Sequence, residues 1–147
     1  MSRHRADGIQ GYRGRKGVLI VPGQFNGGFR RQLLVDTGAT FTVITQKLAQ
    51  ELGLDRVSPR RQIPVVSAHQ ITQVPLVPID SLQVGDKVVR PLEVLIMSLP
   101  VNLQVDGLLG VNFLEKFRVT FEFQQSVLIL RDLLPPKPRS CGRGPLS

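Results

Sequence analysis

The chain has 147 residues, 41% of them hydrophobic and 20% charged, with a formal charge of +8. That length suits one domain with its own core and is too short for two, and no apolar run approaches the length of a membrane span. The 11 Pro, the 14 Gly and the shortness of the periodic segments favour an all-β architecture over a helical one.

The charge is unevenly placed. Residues 1–16 hold five basic side chains against one acidic, and residues 131–147 hold four against one. The stretch between them is nearly balanced, ten against nine. The basicity therefore belongs to two tails, and the expected organisation is a basic disordered tail over 1–16, a folded domain over 17–131, and a Pro/Gly-rich basic disordered tail over 132–147. Such tails can touch nucleic acid, but no aromatic stacking pattern accompanies them, so nucleic acid is not the expected partner. The basic N-terminus has no apolar segment behind it, unlike a secretory signal. The single cysteine, Cys141, has no partner within the chain, which suits a reducing compartment, so a cytoplasmic location is expected.

The fold is expected to begin with a strand at Val18-Leu19-Ile20-Val21, bulged or bent at Pro22-Gly23. Asn26-Gly27 marks a tight hairpin turn into a strand over Phe29 to Val35. The end of that strand, Leu33-Leu34-Val35, is an unbroken apolar run of the kind covered on both faces. It delivers Asp36 to the interior or to the floor of a cleft, where a carboxylate is costly unless it is hydrogen-bonded or shares a proton. Thr37 follows with a hydroxyl that donates and accepts, and Gly38 permits a sharp turn and close approach. An ordinary Asx or ST turn at the end of a strand would account for the same triplet.

A third strand is expected at Phe41 to Ile44, then a short helix over Gln46 to Leu52 capped by Thr45 and stopped at Gly53. Arg60 to Pro78 reads as two strands joined by a polar tip, Ser67-Ala68-His69-Gln70. Ile79 to Val84 continues as a strand, Gly85-Asp86 fits a two-residue turn, and Val88 to Ile96 returns. Leu99 to Gln104 is a loop, Asp106-Gly107 an ordinary turn, and Phe117 to Phe123 with Val127 to Leu130 a last hairpin. Pro135-Pro136-Lys137-Pro138 ends regular structure.

The stretch Leu108-Leu109-Gly110-Val111-Asn112-Phe113-Leu114 sets two leucines and a glycine before a short amphipathic helix. With Asp36-Thr37-Gly38-Ala39 about seventy residues earlier, the chain over residues 17–131 resembles the retropepsin-like aspartic proteases, most closely the single-domain bacterial members. Each motif is weak alone; their order and spacing in a chain of this size are specific.

The resemblance implies a closed, mostly antiparallel β-barrel with one or two short helices, working as a homodimer on a peptide or protein substrate, with no cofactor. It implies that Asp36 from each subunit meets its twin and that the Thr37 hydroxyls bond across the two loops. Gly38 would bond substrate backbone, with Ala39, Thr40, Val43 and Ile44 near it, and Ser67, Ala68, His69 and Gln70 would form the tip of a flap. Leu108, Leu109 and Gly110 would pack beneath the catalytic loop in a ψ-shaped crossing. The retroviral branch commonly has an Asp where Thr40 stands and an Arg where Val111 stands, a charge pair that braces its dimer; both are absent here.

The chemistry has its own logic. One carboxyl group does not both activate water and assist the carbonyl, whereas two adjacent ones share a proton and divide the roles. Asp36 is the one Asp in a suitable loop, since Asp106 lacks the hydroxyl-glycine sequel; two chains are then needed. The expected function is aspartic endopeptidase activity, with a non-catalytic dimeric peptide-binding module as the alternative. His4 lies in a tail, His69 has the context of an exposed loop histidine, and no His/Cys set has metal-ligand spacing.

Overall fold

The computed structural model describes residues 8–14, 17–59 and 61–134. Thirteen strands and two short α-helices are found among them, so the chain is all-β in class, as its composition and turn residues predict. The strands fall into two sheets.

The larger sheet is built on the hairpin of β3 (Leu19–Phe25) and β4 (Phe29–Val35). Asn26 and Gly27 take φ of 51° and 77° at its turn, the positive pair that matches strand twist in a tight hairpin. The ladder runs one-to-one from Ile20↔Leu34 to Phe25↔Phe29, so the expected bulge at Pro22-Gly23 is not made. On its other side β3 pairs with β2 (Tyr12–Arg13) at one end and with β8 (Leu82–Val84) at the other. Pro22 lies between those two pairings, where its missing N–H breaks no ladder. Gly23 makes room for Leu33, whose Cδ1 would lie 2.6 Å from an added Cβ.

Beyond β4 the sheet continues through β11 (Gly107–Leu109), β5 (Thr42–Ile44), β10 (Leu92–Ile96), β7 (Ile71–Ile79) and β6 (Arg61–Val66). At the far side β9 (Lys87–Val89) follows β8. Two expected long strands are each divided. Ile79 to Val84 breaks at Asp80-Ser81, whose N–H groups both donate to Asn26 Oδ1 at 3.0 and 3.2 Å, so the chain leaves β10 for the edge of β3. Val88 to Ile96 breaks at Arg90-Pro91, where proline supplies no donor to continue the ladder.

The second sheet holds β12 (Phe117–Glu122), β13 (Val127–Asp132) and β1 (Gly8–Gln10), with β13 in the middle. This corrects the expected domain limits. Gly8 to Arg13 is ordered as two strands, with Gly8↔Ile129 through Gln10↔Val127 in register, and β13 runs to Asp132. Local pattern does not show this, because the partner strand lies at the far end of the chain. Ile9 is buried, and Lys87 Nζ meets Asp132 Oδ1 at 3.2 Å. Residues 1–7, 15–16 and 135–147 of the expected tails, with His4 and Cys141, lie outside the described residues.

Thr45 caps α1 (Gln46–Glu51), its hydroxyl accepting from Leu48 N–H at 3.2 Å, and Gly53 ends the turn at φ 77°. α2 (Val111–Leu114) is a single turn. The main core gathers Phe25, Leu33, Ile44, Leu48, Leu109, Phe113 and Leu128, joining both sheets and both helices. A smaller cluster of Val43, Val74, Leu76 and Leu95 lies under the β6–β7 hairpin. No helix among the described residues is long and apolar enough to cross a membrane.

Candidate active site

The central position of β4 follows from its sequence. Leu33 and Leu34 are buried, and β4 is flanked by β3 and by the parallel strand β11, with Leu108↔Leu34 and Leu109↔Val35 in register. Asp36 is the first residue past the strand. Its N–H donates to Leu109 C=O at 3.0 Å, its C=O accepts from Ala39 N–H at 3.2 Å, and its Oδ1 accepts from Gly38 N–H at 2.9 Å. The carboxylate is thus anchored on one oxygen by a backbone donor. Asp36 is half-buried, while Thr37 and Gly38 are exposed beside it. Buried support behind and open chain in front make a loop that is fixed yet accessible.

The rest of the loop is tied to α2. Val111 N–H donates to Ala39 C=O at 2.8 Å, and Asn112 N–H donates to Thr40 C=O at 3.1 Å. At the positions that carry opposite charges in the retroviral branch, these backbone bonds join the two segments, with no side-chain charge on either. Gly110 sits where α2 meets β5. An added Cβ would stand 2.5 Å from both the carbonyl carbon and oxygen of Phe41 and 2.7 Å from Thr42 N, so a side chain is excluded by backbone contact. Leu109 and Gly110 are buried and Leu108 is half-buried. The Leu108-Leu109-Gly110 stretch therefore runs directly beside the Asp36 loop.

Two residues that sequence reasoning did not single out hold this crossing together. Thr42 is fully buried, with its Oγ1 accepting from Gly110 N–H at 3.1 Å and donating to Asn112 Oδ1 at 2.9 Å. Asn112 Oδ1 also accepts from Thr42 N–H at 2.8 Å, and Asn112 Nδ2 donates to Glu93 C=O at 2.7 Å. The available signal was an amide inside an otherwise apolar helical turn, Val-Asn-Phe-Leu. Such a residue rarely stays buried without partners.

Other expected site residues divide. Ala39 is half-buried and Thr40 exposed in the loop itself. Val43 is 4% exposed and belongs to the smaller cluster. Ile44 is a correction: the pleat turns it to the opposite face, into the main core, where it has no exposed surface. Ser67, Ala68, His69 and Gln70 form the exposed tip of the β6–β7 hairpin, closed by Ser67 N–H to Gln70 C=O at 2.8 Å. Val66 and Ile71 flank the tip at 74% and 66% exposure.

The expected turn at Asp106-Gly107 is only a bend at Asp106, with Gly107 already the first residue of β11. Asp106 N–H donates to Gln32 C=O and its Oδ2 accepts from Gln32 N–H, both at 2.9 Å. Gln32 is four residues before Asp36 on β4, about 13 Å along an extended chain. Asp106 holds a strand end and does not face Asp36. Among the described residues no group of three or more His, Cys, Asp or Glu gathers.

Residues 21–116 match the family model described as "gag-polyprotein putative aspartyl protease". The fold is similar to that of a retropepsin-like aspartic protease from Rickettsia conorii, with a TM-score of 0.66 and 23% identity over 84% of this chain and 89% of the other. It is also similar to the retroviral protease-like domain of Ddi1 from Leishmania major, with a TM-score of 0.54 and 15% identity over 82% of this chain and 98% of that domain. No curated protein matches the chain.

Proposed function

The chain belongs to the retropepsin-like aspartic protease family, and from that premise we propose that it is an aspartic endopeptidase whose active site forms between two copies. The observation that carries this reading is the setting of Asp36. A carboxylate ends a fully supported central strand, is oriented by Gly38 N–H, and is flanked by exposed Thr37 and Gly38. Asp106, the other candidate acid, is occupied with Gln32 instead.

In the proposed dimer the two Asp36 side chains meet on a two-fold axis. Like charges at contact distance do not both ionise, so the pair holds one proton. The ionised carboxylate takes a proton from a bound water, which attacks the scissile carbonyl carbon. The protonated carboxyl donates to the carbonyl oxygen as negative charge develops there. Collapse of the tetrahedral intermediate breaks the C–N bond and returns a proton to the leaving amine. Thr37 from each chain braces the paired loops, and Gly38, Ala39 and Thr40 line the substrate backbone. The Ser67–Gln70 tip closes over an extended peptide and excludes water.

The test is subunit poisoning. Asp36→Asn keeps the side-chain shape and loses the titratable oxygen, so it folds, pairs and is inactive. With free exchange and random pairing, an equal amount of variant leaves about a quarter of the dimers wild-type on both sides. Turnover by a fixed amount of wild type then falls to about half. If turnover stays flat while mass measurement shows mixed dimers, each chain holds a complete site and the proposal fails. Peptide binding without turnover by the wild type would instead identify a non-catalytic peptide-binding module.

A further inference from the structure

The smaller apolar cluster is flanked by six partly exposed side chains: Phe41, Ile63, Val65, Met97, Leu99 and Leu108. Leu108 pairs with Leu34 across the ladder, and paired residues point to the same face. Asp36 lies two residues beyond Leu34, so it continues on that face. The apolar trough therefore starts beside the carboxylate and runs under the flap hairpin.

The charged side chain of Arg61 stands on the flap side of this trough. Residues 61, 63 and 65 share a face of β6 by the two-residue pleat. Ile63 and Val65 are the half-buried members, packed on the cluster, and Arg61 is the exposed one at the base of the hairpin. The Arg61 guanidinium lies 6.0 Å from the centroid of the Phe41 ring. Phe41 is itself held by its position between the Asp36 loop and buried Thr42, with its carbonyl pressed against Gly110. A guanidinium resting on an anchored ring keeps its plane and its N–H fork available to a carboxylate.

Resting on the peptide-groove reading above, we infer that Arg61, seated on Phe41, is a specificity-determining residue that selects an acidic side chain flanking an apolar core in the substrate. In a two-fold dimer the same Arg61–Phe41 pair stands at both ends of the groove. The preference is then for a carboxylate at matching distances on the two sides of the central apolar residues. Apolar side chains fill the trough and lose water there. The carboxylate binds at the rim, where a charge keeps part of its hydration.

The test uses fluorescent decapeptides with apolar central residues, in which one Glu is walked along the sequence, and matched peptides with Gln. Binding is measured by anisotropy on the full chain carrying Asp36→Asn, so that turnover plays no part. Glu should bind about fivefold tighter than Gln at one position on each side of the centre, the scale of a partly exposed ion pair. Adding Arg61→Gln should abolish that ratio with the melting temperature unchanged, and Arg61→Glu should shift the preference to Lys at the same positions. No Glu position better than Gln, a preference that survives Arg61→Gln, or no binding by either peptide set overturns the inference. A Glu preference that depends on Arg61, together with no cleavage of any peptide by the wild type, supports the inference and defeats the endopeptidase reading alone.

Discussion

The hydroxyl of fully buried Thr42 and the side-chain oxygen of half-buried Asn112 are 2.9 Å apart, joining two segments seventy residues apart. Through that contact the strand after the Asp36 loop and the turn after Leu108-Leu109-Gly110 become one unit. Thr42→Val keeps the shape and removes the hydroxyl, leaving Gly110 N–H without its acceptor. A buried donor left unsatisfied costs about 1–3 kcal/mol. Chemical denaturation should show a loss of that size, larger than the effect of Thr40→Val, whose side chain is exposed. An equal midpoint for both variants would mean that this bond does not support the crossing.

Gly110 and Gly27 should fail for different reasons. Gly110 has an ordinary φ of −94°, but an added Cβ meets Phe41 backbone at 2.5 Å. The close atoms all belong to the Phe41–Thr42 peptide, backbone with no flexible end to yield, so Gly110→Ala should cost about 2 kcal/mol or more. It should also lower activity by displacing the Asp36 loop. Gly27 has open space around it and a φ of 77°. Gly27→Ala should cost about 1 kcal/mol from the left-handed backbone alone, with activity per folded molecule unchanged. Melting curves and specific activities measured together separate the two.

Asp106 provides a counterpart to Asp36. Its carboxylate accepts from Gln32 N–H, so Asp106→Asn retains an acceptor and Asp106→Ala does not. The alanine variant should lose about 1 kcal/mol or somewhat more, the scale of a backbone donor deprived of a charged partner. Turnover per folded molecule should be preserved in both variants, whereas Asp36→Asn abolishes it. Loss of turnover in Asp106→Asn with stability intact would return Asp106 to the reaction.

Local chemistry wrote much of the fold into the sequence. Asn26-Gly27 fixes a hairpin because both residues tolerate positive φ, Thr45 caps a helix because its oxygen reaches Leu48 N–H, and a polar tip separates two apolar strands at Ser67–Gln70. The run Leu33-Leu34-Val35 into Asp36 places an acid at the end of a buried strand for the same reason: each signal acts over a few residues. What the tertiary structure alone decided is which distant strands meet. The pairing of Gly8–Gln10 with the far end of the chain, the bonding of Asp106 to Gln32, the burial of Ile44 and the seating of Arg61 on Phe41 all depend on it. Strand periodicity repeats every two residues and is the same for every partner, so it sets which face is apolar and leaves open which strand will cover it. That choice rests on closing long loops and filling one core. It makes Thr42 and Asn112 supports of the Asp36 loop; the amide in an apolar turn marks Asn112 as a residue needing partners, but nothing local says that Thr42 is the partner.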